Sequence, residues 1–252
     1  MVDIQKAGLW KRLASWMFDS ILLSVIAIGL AFLLSMVLGY DEYSEAVSSA
    51  YEKYETLYGI TFDISAEEYN ALSSEDKSRY DSAYQALLGD DEAIYAYNMT
   101  VNLSLITVSL AILAAVLIWE FILPLVFGNG QTLGKKIFGI CLMKPNGVKL
   151  NHIQLLIRAL LGKYTIEIMI PAYAVLMLLF GSLNMVMLLL VAALFIGQIV
   201  AIIATRTNSP IHDLLAGTVA VDASSQMIFG SEEELLEFKK KQHAELIARK
   251  PY

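Results

Sequence analysis

The 252-residue sequence holds a single cysteine, Cys141, which excludes any intramolecular disulfide. With three histidines beside it, the chain offers no zinc-type ligand set, and no resident cofactor or metal is expected. Charge is also scarce: Asp, Glu, Lys and Arg make up 17%, against about a quarter in an ordinary soluble domain. A soluble sphere of this size could not coat itself with so few charges. The net charge of −7 is the wrong sign for a nucleic-acid binder. What the chain has instead is apolar surface, 57% of its residues, and a mean hydropathy of +0.57. The composition excludes a soluble enzyme, a disordered chain and a fibrous protein, and points to a multi-pass membrane protein.

Four runs approach the roughly 20 apolar residues that a membrane-crossing helix needs. They are Leu13 to Leu38, Met99 to Phe127, Tyr164 to Phe180 and Met185 to Thr205. The first has Lys6, Lys11 and Arg12 before it, but its apolar stretch far exceeds a signal-peptide core and no A-x-A site ends it. It reads as a retained span. Gly181 to Asn184 reads as a tight turn between the last two spans. The sequence thus divides into residues 1–38 with the first span, a segment 39–98, a second span 99–127, a loop 128–163, a hairpin of two spans 164–205 and a tail 206–252.

Orientation follows from Lys and Arg. Residues 39–98 carry three basic and fourteen acidic residues, whereas 128–163 carry six basic and none acidic. Fifteen of the eighteen positive charges fall on the side of the two termini and the 128–163 loop. That side is expected to be the cytoplasm, with both termini inside and 39–98 outside.

The outer segment has a net charge of −11 and ten of the thirteen tyrosines. Ser65-x-x-Glu68 and Ser73-x-x-Asp76 resemble helix caps, and Tyr80, Tyr84, Leu87 and Leu88 recur at helical spacing. Two or three short helices are expected there, serving as a solvated connector or as a cation-collecting or partner-binding surface. In the inner loop, Ile137 to Met143, the turn Pro145-Asn146-Gly147 and Val148 to Leu150 predict a β-hairpin, to which Gly217 to Asp222 would add a third strand. Asn151 to Lys163 is too short to span and predicts an interfacial helix. Ser231-x-x-Glu234 opens a charged tail helix. The fold class is therefore all-α and membrane-embedded, with four spans, a small helical extracytoplasmic insertion and a short cytoplasmic hairpin or sheet.

Ionisable residues inside spans cost roughly 2.5–3.5 kcal/mol each on insertion scales and call for a reason. Asp19 lies six residues into the first span, and Glu120 seven residues before the end of the second. At about 1.5 Å per residue both sit roughly 10 Å from the inner side. Gln198 in the fourth span shares that level, and Glu167 lies in the inner half of the third. Arg12 shares a helix face with Asp19 two turns away, and whether it serves Asp19, Glu120 or a lipid phosphate stays open. Glu120 precedes Pro124 by four residues, and Glu167 precedes Pro171 by four. Proline lacks the N–H that the carbonyl four residues earlier would receive. Either each glutamate presents a carboxylate beside a free carbonyl oxygen, or both are ordinary proline kinks. Arg12, Asp19, Glu120, Arg158, Glu167 and Gln198 are the candidate polar cluster.

RLASWMFD from Arg12 to Asp19, the glycine-rich GQTLGKKIFGI after the second span and IHDLLAGTVAV after the fourth together resemble the RDD family of bacterial membrane proteins. The resemblance implies that the family's arginine is Arg12 and its two aspartates are Asp19 and Asp213. It also covers Gln131, Thr132, Gly134, Lys135, Arg158 and Thr218. What it implies about function is transport, in some members exchange of monovalent cations for protons. Physically, Lys135 and Lys136 are expected at the inner headgroups, and His212-Asp213 is expected either to cap a helix or to form a proton entry. No nucleophile accompanies His212, so no enzymatic activity is expected.

Two functions compete. One is ion-coupled transport, in which monovalent cations and protons pass the polar cluster. Four spans make a thin wall, so a homo-oligomer is expected with it. The other is a binding or assembly protein, embedded in the lipid bilayer, whose cluster fixes helix register while the outer segment or the tail holds a partner.

Overall fold

The computed structural model describes residues 3–248. The chain forms twelve α-helices and two strands among these residues. In order they are α1 (Leu9–Val37), α2 (Tyr40–Tyr58), α3 (Ala66–Ala71), α4 (Ser74–Leu88), α5 (Asp91–Val116), α6 (Leu123–Phe127), α7 (Leu133–Ile137), β1 (Ile140–Met143), α8 (His152–Ile157), α9 (Ile170–Leu179), α10 (Met185–Ala204), α11 (Ile211–Ala216), β2 (Val219–Asp222) and α12 (Glu232–Ala248). Two π-helical stretches, Leu117–Ile122 and Arg158–Met169, join α5 to α6 and α8 to α9 without a break. Four helical runs are long and apolar enough to cross a membrane: Leu9–Val37, Asp91–Phe127, His152–Leu179 and Met185–Ala204.

Two compact units divide the chain. Residues 29–111 form one, and the residues before and after them form the other. In the first, the expected caps are present. Ser65 accepts the N–H of Glu68 at 3.2 Å while the Glu68 carboxylate accepts that of Ser65 at 2.7 Å. Ser73 accepts the N–H of Asp76 at 3.1 Å. Asp90 opens α5 by accepting the N–H of Ala93, and its other oxygen takes Lys53 Nζ and the Tyr54 hydroxyl, each at 2.9 Å. The buried residues of α4 are Ala83 and Leu87, while Tyr84 and Leu88 are exposed. The expected apolar stripe is therefore rotated, and the small Ala83 lets α4 approach its neighbours. Tyr54, Leu87 and Ala93 form the core, with Tyr58 and Phe62 packed against it.

The second unit corrects two expectations. β1 does not turn back on itself as a hairpin. It pairs antiparallel with β2, Ile140 opposite Asp222 and Met143 opposite Val219. Pro145-Asn146-Gly147 does make a tight turn, closed by Lys144 N–H to Val148 O at 2.8 Å, but Val148 then bridges to Phe229. β2 offers β1 a four-residue ladder of small and branched side chains, buried at all but its last position. The N-terminal segment adds to the other edge of β2 through Ala7 N–H to Ala220 O and Asp222 N–H to Gln5 O.

The second correction concerns Asn151 to Lys163, which is not a separate interfacial helix. It is the start of the third span, which runs unbroken from His152 to Leu179. The segment reads as interfacial because, ending at Lys163, it is too short to span; Arg158 and Lys163 are in fact buried and meet partners inside the protein. Nothing between Lys163 and Tyr164 then stops the helix.

The π-helical stretches lie directly before Pro124 and Pro171. In the first, the N–H of Leu123 reaches the carbonyl of Ile118, five residues back. A proline at position 124 has no N–H to continue the α register, and a widened turn upstream is one way to absorb that loss. The widening changes which side chains share a face, and the site depends on it.

Candidate functional site

α1 brings Asp19 to the start of α7. The loop Gly128 to Gln131 ends at Thr132, whose hydroxyl accepts the N–H of Lys135 at 3.3 Å and so caps α7. Asp19 Oδ1 accepts the N–H of Gly134 at 2.9 Å and the indole N–H of Trp119 at 3.0 Å. Asp19 Oδ2 accepts the Thr132 hydroxyl at 2.5 Å and the weaker Ser15 hydroxyl at 3.4 Å. Gly134 must be glycine for this approach: a Cβ there would lie 2.8 Å from Asp19 Oδ1 and 2.7 Å from the Ser15 carbonyl oxygen.

Lys135 turns inward from the same turn. Its ammonium lies 3.1 Å from Thr132 Oγ1, 3.5 Å from Glu120 Oε2 and 3.8 Å from Asp19 Oδ2. The expectation that Lys135 sits at the headgroups is therefore wrong for this residue. Its neighbour Lys136 is exposed and lies over the Phe127 ring at 4.4 Å. Adjacent residues in a one-turn helix point to different sides, and the capping oxygens on the inward side draw Lys135. Burial pushes its ammonium pKa down, against the pull of Glu120 and Asp19.

Arg158 is the bridge to the C-terminal part. It is only 2% exposed. Its Nη1 donates to Glu120 Oε2 at 2.5 Å and its Nε to Asp213 Oδ1 at 2.9 Å. Asp213 Oδ1 also accepts the Thr218 hydroxyl at 2.8 Å, and Asp213 Oδ2 faces Arg12 Nη2 at 3.7 Å. Burial opposes the charge on Asp213, but His212 and Arg158 outweigh it and hold the carboxyl at about 2. Arg12 also donates to the Asn208 carbonyl at 2.7 Å. Of the partners left open for Arg12, the structure selects a fourth, Asp213, and gives Asp19 to Lys135.

Glu167 closes the network. Oε1 accepts from Gln198 Nε2 and lies 2.5 Å from His212 Nδ1, and Oε2 lies 3.3 Å from Lys163 Nζ. Gln198 Oε1 in turn accepts the N–H of Ile211 at 3.0 Å, tying α10 to α11. Burial and then Lys163 push His212 down to about 4, despite Asp213 and Glu167. The imidazole is therefore neutral near pH 7. A carboxylate only accepts, and of the two that face the ring Glu167 is at 2.5 Å from Nδ1 while Asp213 Oδ1 is at 3.5 Å from Nε2, so the proton lies on Nδ1. Gly162 sits where any Cβ would collide with His212, which fixes how closely α11 packs on the third span.

Arg158 and Glu167 are nine residues apart. In an α-helix that is about two and a half turns, which sets them on opposite faces. Turns widened to roughly four and a half residues return them to one face. Arg158, Gly162, Lys163 and Glu167 all turn inward for that reason.

The expected cluster members Arg12, Asp19, Glu120, Arg158, Glu167 and Gln198 thus meet, and Thr132, Gly134, Lys135, His212, Asp213 and Thr218 join them. Gln131 does not: its amide donates to the Ile140 carbonyl at 2.8 Å, beside β1. Trp119 and Lys163 were not singled out from the sequence. An indole next to a buried glutamate and a lysine four residues before another were the available signals. A family model described as the RDD family matches residues 6–217. The chain belongs to the RDD family. No curated protein and no solved structure matches it. The match spans every network residue but Thr218, which lies one position past its end, and in this RDD protein the four apolar helical runs make it a membrane protein. Its network holds four positive side chains, Arg12, Lys135, Arg158 and Lys163, and four negative ones, Asp19, Glu120, Glu167 and Asp213.

Proposed function

We propose that the protein exchanges a monovalent cation for protons across the bacterial cytoplasmic membrane, through the buried network, and that it is not an enzyme. The observation that carries this reading is the alternating charge order: Asp19, Lys135, Glu120, Arg158 and Asp213 follow one another within 4 Å, and Glu167 with Lys163 joins through His212. Ionised groups buried in a span are expensive, and an apolar core of equal volume would hold helices together as well or better. Six of the eight network charges lie in spans, and so many in one place serve something other than cohesion. Two spans also depart from α-helix at the residues they contribute, and π-helical turns recur at functional sites. The excess of Lys and Arg on the side of both termini supports an orientation with the network in the cytoplasmic half. A homo-oligomer supplies the wall that four spans lack.

A second reading is a membrane-embedded assembly protein whose network pins the helices in register. Saturation favours it: each of the four carboxylates already meets at least two donors or cations. The two separate in sealed vesicles holding purified protein and a pH-sensitive dye. Proton movement on addition of Na⁺, K⁺ or Li⁺, lost in Glu120→Gln, supports exchange. Silence across pH values, with the protein folded, overturns exchange in favour of assembly.

A further inference from the structure

The ammonium of Lys135 occupies a small oxygen-lined position. Thr132 Oγ1, Glu120 Oε2 and Asp19 Oδ2 surround it at 3.1, 3.5 and 3.8 Å, and they come from three different elements. Thr132 spends its own proton on Asp19 and one lone pair on the Lys135 N–H, so one lone pair of its hydroxyl oxygen is left for a cation. Two carboxylate oxygens and a hydroxyl, nearly dry, are the donor set that hard cations take. The position is not a bare acidic cluster, because a cation already fills it: a primary ammonium on a flexible four-carbon stem, buried to nine-tenths.

We infer that Asp19, Glu120 and Thr132 form a monovalent-cation site whose resident is the tethered ammonium of Lys135, and that a free alkali ion binds there when the lysine side chain withdraws. This rests on the exchange reading above and names the site of its cation. Charge balance gives the reason. The network is neutral with Lys135 in place, so one free monovalent ion restores the balance that a withdrawn ammonium removes, whereas a divalent ion overshoots it. The stem makes withdrawal feasible: four carbons with rotatable bonds can swing the ammonium out without moving the backbone. Arg158 cannot act in this way, since its planar fork is tied to Glu120 and Asp213 together.

The test uses the full chain in detergent with Lys135→Met, which keeps the stem's volume and removes the charge. Thermal unfolding is followed in NaCl, LiCl and KCl against choline chloride at equal ionic strength. We expect Lys135→Met to gain at least about 4 °C in an alkali salt over choline, and the wild type to gain much less. The double variant Lys135→Met with Glu120→Gln is neutral again, and its gain should vanish. A folded Lys135→Met that ignores the identity of the cation overturns the site. If Lys135→Met does not fold, the wild type is labelled with an amine-reactive reagent and the modification of Lys135 is read by mass spectrometry. Labelling that rises with NaCl but not with choline chloride supports displacement, and equal labelling overturns it. A cation gain in Lys135→Met without flux in wild-type vesicles keeps this site and removes exchange. Flux without the gain keeps exchange and removes this site.

Discussion

Asp19 and Gly134 meet through one oxygen: Oδ1 accepts the Gly134 N–H at 2.9 Å, and the same oxygen would lie 2.8 Å from a Cβ at that position. The contact leaves no room for even the smallest side chain, and the second obstacle, the Ser15 carbonyl, is backbone. Gly134→Ala should therefore destabilise the protein by about 1–3 kcal/mol through overpacking, although alanine is the better helix former. Thermal unfolding of the purified variant checks this. An unchanged or raised Tm would mean that α1 and α7 are not in this contact.

Arg158 joins Glu120 to Asp213 with a separate nitrogen for each. Removing it strands two buried carboxylates. Arg158→Met is expected to cost about 3–5 kcal/mol or to prevent accumulation of folded protein. Arg158→Lys should fall between it and the wild type, since one ammonium cannot bond both carboxylates in the fork geometry. Equal stability of the lysine variant and the wild type would show that the fork is not used.

Lys135 and Lys136 are neighbours with opposite surroundings. Lys136→Gln, at an exposed position, should change stability by less than about 0.5 kcal/mol. Lys135→Gln in choline should lose several times that, because Asp19 and Glu120 lose a counter-charge. Comparable losses for the two would return Lys135 to the surface, where the sequence pattern had set it.

His212 gives a pH signature. Its folded pKa is about 4 against an ordinary value of 6.5. It is faced by Lys163, Glu167 and Arg158 from the third span, by Asp213 on its own helix and by Gln198 nearby. Between those two values the unfolded chain binds a proton that the folded chain does not. Stability from this group is therefore complete above about pH 6.5 and is lost as pH falls towards 4. His212→Asn should show a flatter unfolding midpoint between pH 7 and 4 than the wild type. A parallel pair of curves would place the imidazole in water. Below pH 4 the wild type should keep falling, because Asp213 is held at about 2 and must in turn be protonated.

The orientation inferred from Lys and Arg is checked in cells with a membrane-impermeant maleimide, after Cys141→Ala removes the only native thiol. Ser48→Cys should label in intact cells, and Gln242→Cys only after permeabilisation. The reverse pattern would invert the proposed topology.

The membrane class, the number of spans, the caps at Ser65 and Ser73 and the shared depth of Asp19 and Glu120 were all legible in the chain. Each rests on local pattern or on depth, and depth follows from counting residues to a span's end. What was not legible has a common cause. The β1–β2 pairing joins residues about eighty positions apart, while the hairpin signal at Pro145-Asn146-Gly147 is local and was satisfied by a turn alone. The start of the third span was missed because Asn151 to Lys163, by itself, is too short to span, and its continuity with Tyr164 onward is not a matter of local pattern.

By itself, then, the sequence determined which residues leave water and roughly how deep each lies, because hydrophobic run length and charge placement are one-dimensional quantities. Only the tertiary structure decided who pairs with whom. It gave Asp19 to Lys135, Arg12 to Asp213, and Glu167 to His212 and Lys163. The physical reason is angular. Two widened helical turns rotate Glu120 and Glu167 to faces that an α-helical count does not predict, and the direction of a side chain around its helix, unlike its depth, is set by packing against chain that lies far away in sequence.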